Sequence, residues 1–114
     1  MEKIVEQGLL YDFYGSLLTD HQKQVYEAAV YEDMSLREIA EEFQITYQGV
    51  HDLLKRCDKI LLGYESKLHL LEKYSKEKKL VSGILEEAKA GREKNDPKAF
   101  DRIKELAEGL LKEL

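Results

Sequence analysis

The sequence predicts an all-α protein. Three observations predict it: apolar residues recur at three- and four-residue spacing along nearly the whole chain, β-branched residues never gather into an alternating run, and Pro97 is the one proline in 114 residues. Hydrophobic residues at 43% suffice for a core at this length, and charged residues at 36% suit amphipathic helices. The expected organisation is a helical domain over residues 1–75 and a helical extension over 76–114.

The first helix is expected from Ile4 to Leu18, with Leu10, Phe13, Tyr14, Leu17 and Leu18 crowding one side. That spacing matches a buried stripe better than a set of rings kept free to stack on a ligand. Thr19 or Asp20 then caps a helix reaching about Tyr31, which buries Val25, Ala28 and Ala29, and Glu32-Asp33-Met34 connects it to the next element.

From Ser35 to Lys59 the pattern is that of a helix-turn-helix. Ser35 and Glu38 make the S-x-x-E capping box, so a short helix starts at Leu36 with Leu36, Ile39, Ala40 and Phe43 on one face. Gln44 stands where such turns usually carry Gly, and must either adopt a positive φ or alter the turn. Ile45 plugs the turn into the core, and Thr46 caps a second helix. In that helix Gly49, Val50, Leu53, Leu54, Cys57, Ile60 and Leu61 share one arc. Tyr47, Gln48, His51, Asp52, Lys55, Arg56, Asp58 and Lys59 share the other. An anchored apolar arc beside a free polar arc is what a recognition helix needs. Tyr47, Gln48 and His51 are placed for base edges, Gln48 with the amide that pairs bidentately with adenine, and Lys55, Arg56 and Lys59 are placed for phosphates. A generic pair of bundled helices would produce the same spacing, so the motif alone leaves both readings open.

Beyond Leu61 the apolar spacing continues through Tyr64, Leu68, Leu71 and Tyr74, so the second helix either runs on or breaks near Gly63. Lys73 to Lys79 reads as a solvated hinge or a phosphate-facing strip. Leu80 to Ala90 is expected to be a helix stopped by Gly91, and Asp96-Pro97 to start the last one as cap and first-turn proline. Phe100, Ile103, Leu106, Ala107, Leu110, Leu111 and Leu114 line one face of that helix. Such a stripe either folds back or pairs with a second copy, and a homodimer through the C-terminal helices is the expectation.

The net charge is −5, and no segment is strongly basic: residues 35–60 carry 4 basic and 5 acidic side chains. Any duplex DNA affinity is therefore expected to be modest and salt-sensitive. His21, His51 and His69 lack metal-ligand spacing, and there is no glycine-rich phosphate loop or converging carboxylate pair, so no cofactor, metal site or catalysis is expected. The lone Cys57, on the apolar arc, suits a reducing compartment. With no signal peptide or membrane-spanning stretch read in the chain, a cytoplasmic protein is expected.

Tyr11-Asp12-Phe13-Tyr14-Gly15-Ser16-Leu17-Leu18-Thr19, Gln22-Lys23-Gln24-Val25-Tyr26, the S-L-R-E-I-A-E-E-F block and Gln48-Gly49-Val50-His51-Asp52 together resemble the small YlxM-like proteins of Gram-positive bacteria, which are similar to region 4 of bacterial sigma factors. The resemblance covers roughly residues 8 to 80. It implies a winged-helix-like, sigma-region-4-like helix-turn-helix regulator that binds duplex DNA, connected with components of the signal recognition particle pathway. Family members commonly carry Ser-Arg where Thr46-Tyr47 stand and Ala where Gly49 stands, so one expected cation is absent here. The alternative is an adaptor contacting protein or structured RNA of the targeting machinery.

Overall fold

The computed structural model describes residues 2–114, and the described residues form six α-helices and no strand. The all-α expectation holds. A winged-helix likeness does not, because no β-hairpin follows the motif among the described residues. The chain divides into two compact units, one through Leu71 and one from Glu72 to Leu114.

In the first unit α1 spans Lys3–Tyr14 and tightens into a 3₁₀ turn over Gly15–Leu17, where a single helix to Leu18 was expected. A Cβ on Gly15 would lie 2.8 Å from the Tyr11 ring, so the chain closes over that ring where only glycine fits. The tighter winding buries Leu18 and leaves Leu17 exposed, contrary to the expected stripe. α2, Asp20–Val30, is capped by Thr19 in a box with Gln22: the Gln22 N–H donates to Thr19 Oγ1 at 3.2 Å and the Thr19 N–H to Gln22 Oε1 at 2.9 Å.

Helix α3, Leu36–Phe43, begins at the Ser35–Glu38 box with both reciprocal bonds formed, at 3.0 and 3.1 Å. Gln44 ends it in the left-handed region at φ 54°, and the Ile45 N–H returns to the Ala40 carbonyl at 3.1 Å. Thr46 Oγ1 then accepts from the Gly49 N–H at 2.9 Å to open α4, Tyr47–Leu68. Val50, Cys57 and Leu61 of α4 are fully buried. One cluster joins Val50 to Val25, Ala28 and Ile39; another joins Cys57 and Leu61 to Leu10, Tyr14, Leu18, Tyr26 and Leu71. Leu53 and Leu54 pack against both. Each large apolar side chain removed from water here contributes roughly 1.5–3 kcal/mol, which holds the outer arc of α4 in place.

α4 passes through Gly63 and ends at His69, φ 56°. There the Tyr14 hydroxyl donates to Glu65 Oε1 at 2.6 Å and accepts from the Leu70 N–H at 3.1 Å, while Glu65 Oε1 accepts from the Leu71 N–H at 2.9 Å. Two amides at the start of the next helix are thus satisfied by side chains.

α5 spans Leu70–Lys94 and α6 Lys98–Glu113. Residues 73–79 are helical, so the expected hinge is absent. Gly91 does not stop α5 either: a Cβ there would meet Ala99 Cβ at 2.6 Å, so this glycine lets α6 approach closely. Asn95, φ 52°, makes the turn, and Asp96 Oδ1 accepts from the Lys98 N–H at 3.0 Å with Pro97 at φ −67° beside it. Arg102 ties the hairpin by donating to Glu87 at 2.6 Å and to Asp96 at 3.0 Å.

Candidate nucleic-acid interface

The helix-turn-helix reads α3, the turn Gln44-Ile45-Thr46, and α4. At about 100° per residue, Tyr47, Gln48, His51, Lys55, Arg56 and Lys59 fall within one half-turn of α4, opposite Val50 and Cys57. All six are exposed. They form a strip about 18 Å long on an element whose other side is locked in the core.

Asp58 departs from the expected polar arc. It is half-buried and accepts from Tyr26 Oη at 2.5 Å and from Gln7 Nε2 at 2.9 and 3.1 Å. It sits at the arc's edge, one turn from Leu54 and Leu61, where the buried Tyr26 of α2 needs an acceptor. Burial first, and then Asp58, pushes the Tyr26 phenol well above its ordinary range. Burial likewise pushes the Cys57 thiol up to about 11.

Asp52 remains on the outer arc and engages two predicted contact residues. Gln48 Nε2 donates to its Oδ1 at 2.9 Å, and His51 Nδ1 lies 3.7 Å from the same oxygen. That bond takes one of the two Gln48 amide hydrogens and draws the side chain towards Asp52.

Tertiary packing adds flanks that sequence spacing had missed. A groove beside α4 brings Lys3 and Gln7 of α1 and Leu36 of α3 to His51 and Lys55. On the other side Thr19, His21 and Gln22 share a groove with Asp52 and Arg56. Apart from Leu36, already placed on the apolar face of α3 by its spacing, these residues lie tens of positions from α4 in sequence, so no local signal could have found them. Glu38, Glu41 and Glu42 group together on α3, the helix that crosses the backbone in DNA-bound motifs of this type.

A family model described as "Putative helix-turn-helix protein, YlxM / p13 like" matches residues 1–102. A UPF0122 protein of Clostridium botulinum (strain Alaska E43 / Type E3) is 46% identical over 110 residues, spanning 96% of this chain and 100% of the relative. One from Desulforamulus reducens is 38% identical over 114 residues, 100% of this chain and 94% of the relative. The UPF0122 protein YlxM of Bacillus subtilis (strain 168) is 38% identical over 96 residues, 84% of this chain and 87% of the relative. The chain belongs to the YlxM / p13-like family of helix-turn-helix proteins.

Proposed function

We propose that the chain is a non-enzymatic regulatory protein that binds duplex DNA through α4, with Tyr47, Gln48 and His51 at base edges and Lys55, Arg56 and Lys59 on phosphates. The observation that carries this reading is the exposure of all six on one arc of a helix whose opposite arc is core. Two copies pairing through the C-terminal helices present two such arcs to paired half-sites.

A second reading is favoured by the acids of the motif itself. Glu38, Glu41 and Glu42 on α3 and Asp52 on α4 oppose phosphate approach. The fold then serves as an adaptor for protein or structured RNA of the signal recognition particle pathway, with α4 or the C-terminal helices as contact.

The test is a salt titration of the purified protein against a random-sequence duplex pool and signal recognition particle RNA, beside Lys55→Glu/Arg56→Glu. Three phosphate contacts per copy give a log–log salt slope of roughly −3, and the double variant, keeping Lys59, falls to about −1 or loses binding. Salt-dependent enrichment of a duplex sequence that the variant loses upholds the regulator. Absence of duplex binding at low salt refutes it and leaves the adaptor, with RNA retention deciding the partner's class.

A further inference from the structure

The second unit leaves one broad face of its helix hairpin uncovered. Phe100, Leu111 and Leu114 are 74%, 71% and 77% exposed, and Val81 and Leu85 of α5 are about half exposed. These residues lie on one side of the hairpin. On α5, Tyr74, Val81, Leu85 and Ala88 sit about 100° round the helix from Leu80 and Gly91, which face α6. On α6, Phe100, Ala107 and Leu111 sit about 100° round from Ala99 and Leu106, which face α5. In an antiparallel pair, equal rotations of the same sense bring both stripes to the same face. The cleft lined jointly by Ala88, Arg92, Phe100 and Ile103 agrees with this placement. The opposite face carries Lys79, Glu86, Lys98 and Glu105.

We infer that this face pairs with the same face of a second copy, with the two-fold axis running along the helices so that α5 of each copy lies over α6 of the other. The inference rests on the dimer reading and specifies its surface and register. Size permits it. α6 is about 24 Å long, two helices are about 20 Å wide, and a pair of such faces buries on the order of 1,000 Å², the lower limit for a specific interface.

Charge chooses the orientation. The outer edge of the α5 stripe carries Lys78, Lys89 and Arg92; that of α6 carries Asp101 and Glu108 together with Lys104 and Lys112, with Lys104 paired to Glu108 at 3.8 Å. An axis across the helices would lay α5 on α5 and bring lysine rows together. An axis along them keeps the two basic edges apart and sets each against an edge of both signs, where Asp101 and Glu108 supply the opposite charge. The height of each contact follows from the hairpin's own register. Leu80 packs at Gly109, Gly83 at Leu106, and Gly91 at Ala99, while Glu87 bonds Arg102. Lys89 is therefore level with residue 100 and meets Asp101 of the second copy, and Lys78 reaches towards Glu108 of the second copy.

The experiment measures the dimer dissociation constant of the full chain by analytical ultracentrifugation for wild type, Lys89→Glu, Asp101→Lys and the double swap. Leu111→Glu serves as the apolar variant and thermal midpoints as the folding control. The expected result is a wild-type dimer, weakened roughly tenfold by either single charge change because both symmetric pairs break, and restored to within about threefold by the double swap. Leu111→Glu is expected to give a folded monomer. A dimer that the double swap fails to rescue overturns this surface and register while the dimer reading stands. A monomeric wild-type chain at high micromolar concentration overturns both.

Discussion

One substitution made at two helical glycines is expected to act in opposite directions. Gly63 lies inside α4, and a Cβ there would have nothing within 4 Å. Gly63→Ala therefore recovers helix propensity without a clash, a stabilisation of about 0.5–1 kcal/mol. For a unit of this size that is a rise of roughly 2–8 °C in midpoint. Gly91 lies inside α5, where the added Cβ would stand 2.6 Å from Ala99 Cβ. Carbon atoms pack at about 3.5–4.0 Å, so α6 must retreat by about 1 Å. Overpacking of this kind costs about 1–3 kcal/mol, which outweighs the propensity gain by up to about 2 kcal/mol. Restoring space with Ala99→Gly in the Gly91→Ala background should recover much of the loss, since neighbours in contact couple. The assay is urea denaturation followed by far-ultraviolet circular dichroism and by tyrosine fluorescence. Six of the seven tyrosines lie at or before Tyr64, so fluorescence reports chiefly on the first unit. If Gly91→Ala stabilises the chain as much as Gly63→Ala, the close α5–α6 approach is wrong.

Further outcomes are expected. Gln44→Gly should stabilise the first unit by up to about 1 kcal/mol in the same denaturation assay, because Gln44 holds φ 54° and a non-glycine residue pays roughly 1–2 kcal/mol there, partly offset by glycine's greater chain entropy. Asp52→Asn should raise duplex affinity roughly threefold to tenfold at low salt, measured by fluorescence anisotropy, by removing a repelling charge and loosening its hold on Gln48. Cys57 should react with a thiol reagent only as the protein unfolds, since burial both covers the sulfur and raises its pKa to about 11. Tyr11, Tyr14, Tyr26 and Tyr31 are all held above the ordinary phenol value, first by burial and then by carboxylate neighbours, Tyr31 at about 12. Raised pKa values of this kind stabilise the fold fully below the unfolded value near 10, and that stability is lost as pH rises towards the folded values. Absorbance titration should therefore show a late-ionising group of tyrosines whose ionisation coincides with loss of helix; seven tyrosines titrating together near pH 10 in folded protein would contradict it.

Elements with local chemical signatures were legible in the sequence. The starts of both helices of the motif, the Ser35–Glu38 box and Thr46, are written within three residues of the amides they cap, and the arcs of α4 follow from its spacing. Breaks between helices were harder to place because this chain uses glycine unusually. No described glycine has a positive φ, whereas Asp33, Gln44, His69 and Asn95 all do. Reading Gly91 as a stop therefore failed, and His69, where α4 ends, carries no recognisable stop signal. Asp58 was misplaced for a different reason: its environment is set by Tyr26 and Gln7, which are 32 and 51 positions away. The grooves that add Lys3 and His21 to the edges of α4 are equally invisible before the helices pack.

Those long-range contacts also bear on how an acidic chain can present a usable α4. The net charge of −5 treats every carboxylate as equal, but four in the first unit accept from tyrosines: Asp12 from Tyr31 at 2.8 Å, Glu27 from Tyr11, Asp58 from Tyr26 and Glu65 from Tyr14. Each phenol donates to the ionised form and spreads its charge into the packing of α1, α2 and α4. Among the acids of α4, Asp58 turns inward, so Asp52 is the carboxylate standing among Lys55, Arg56 and Lys59 on the exposed arc. Spread over about 10 Å of one helical face, with each neighbour within a Debye length of about 8 Å of the next, these four side chains outweigh the distant remainder of the charge. The local sum on the arc is therefore positive. Asp52 is the group that sets its size, and neutralising it should alter duplex affinity more than neutralising any of the tyrosine-bound acids.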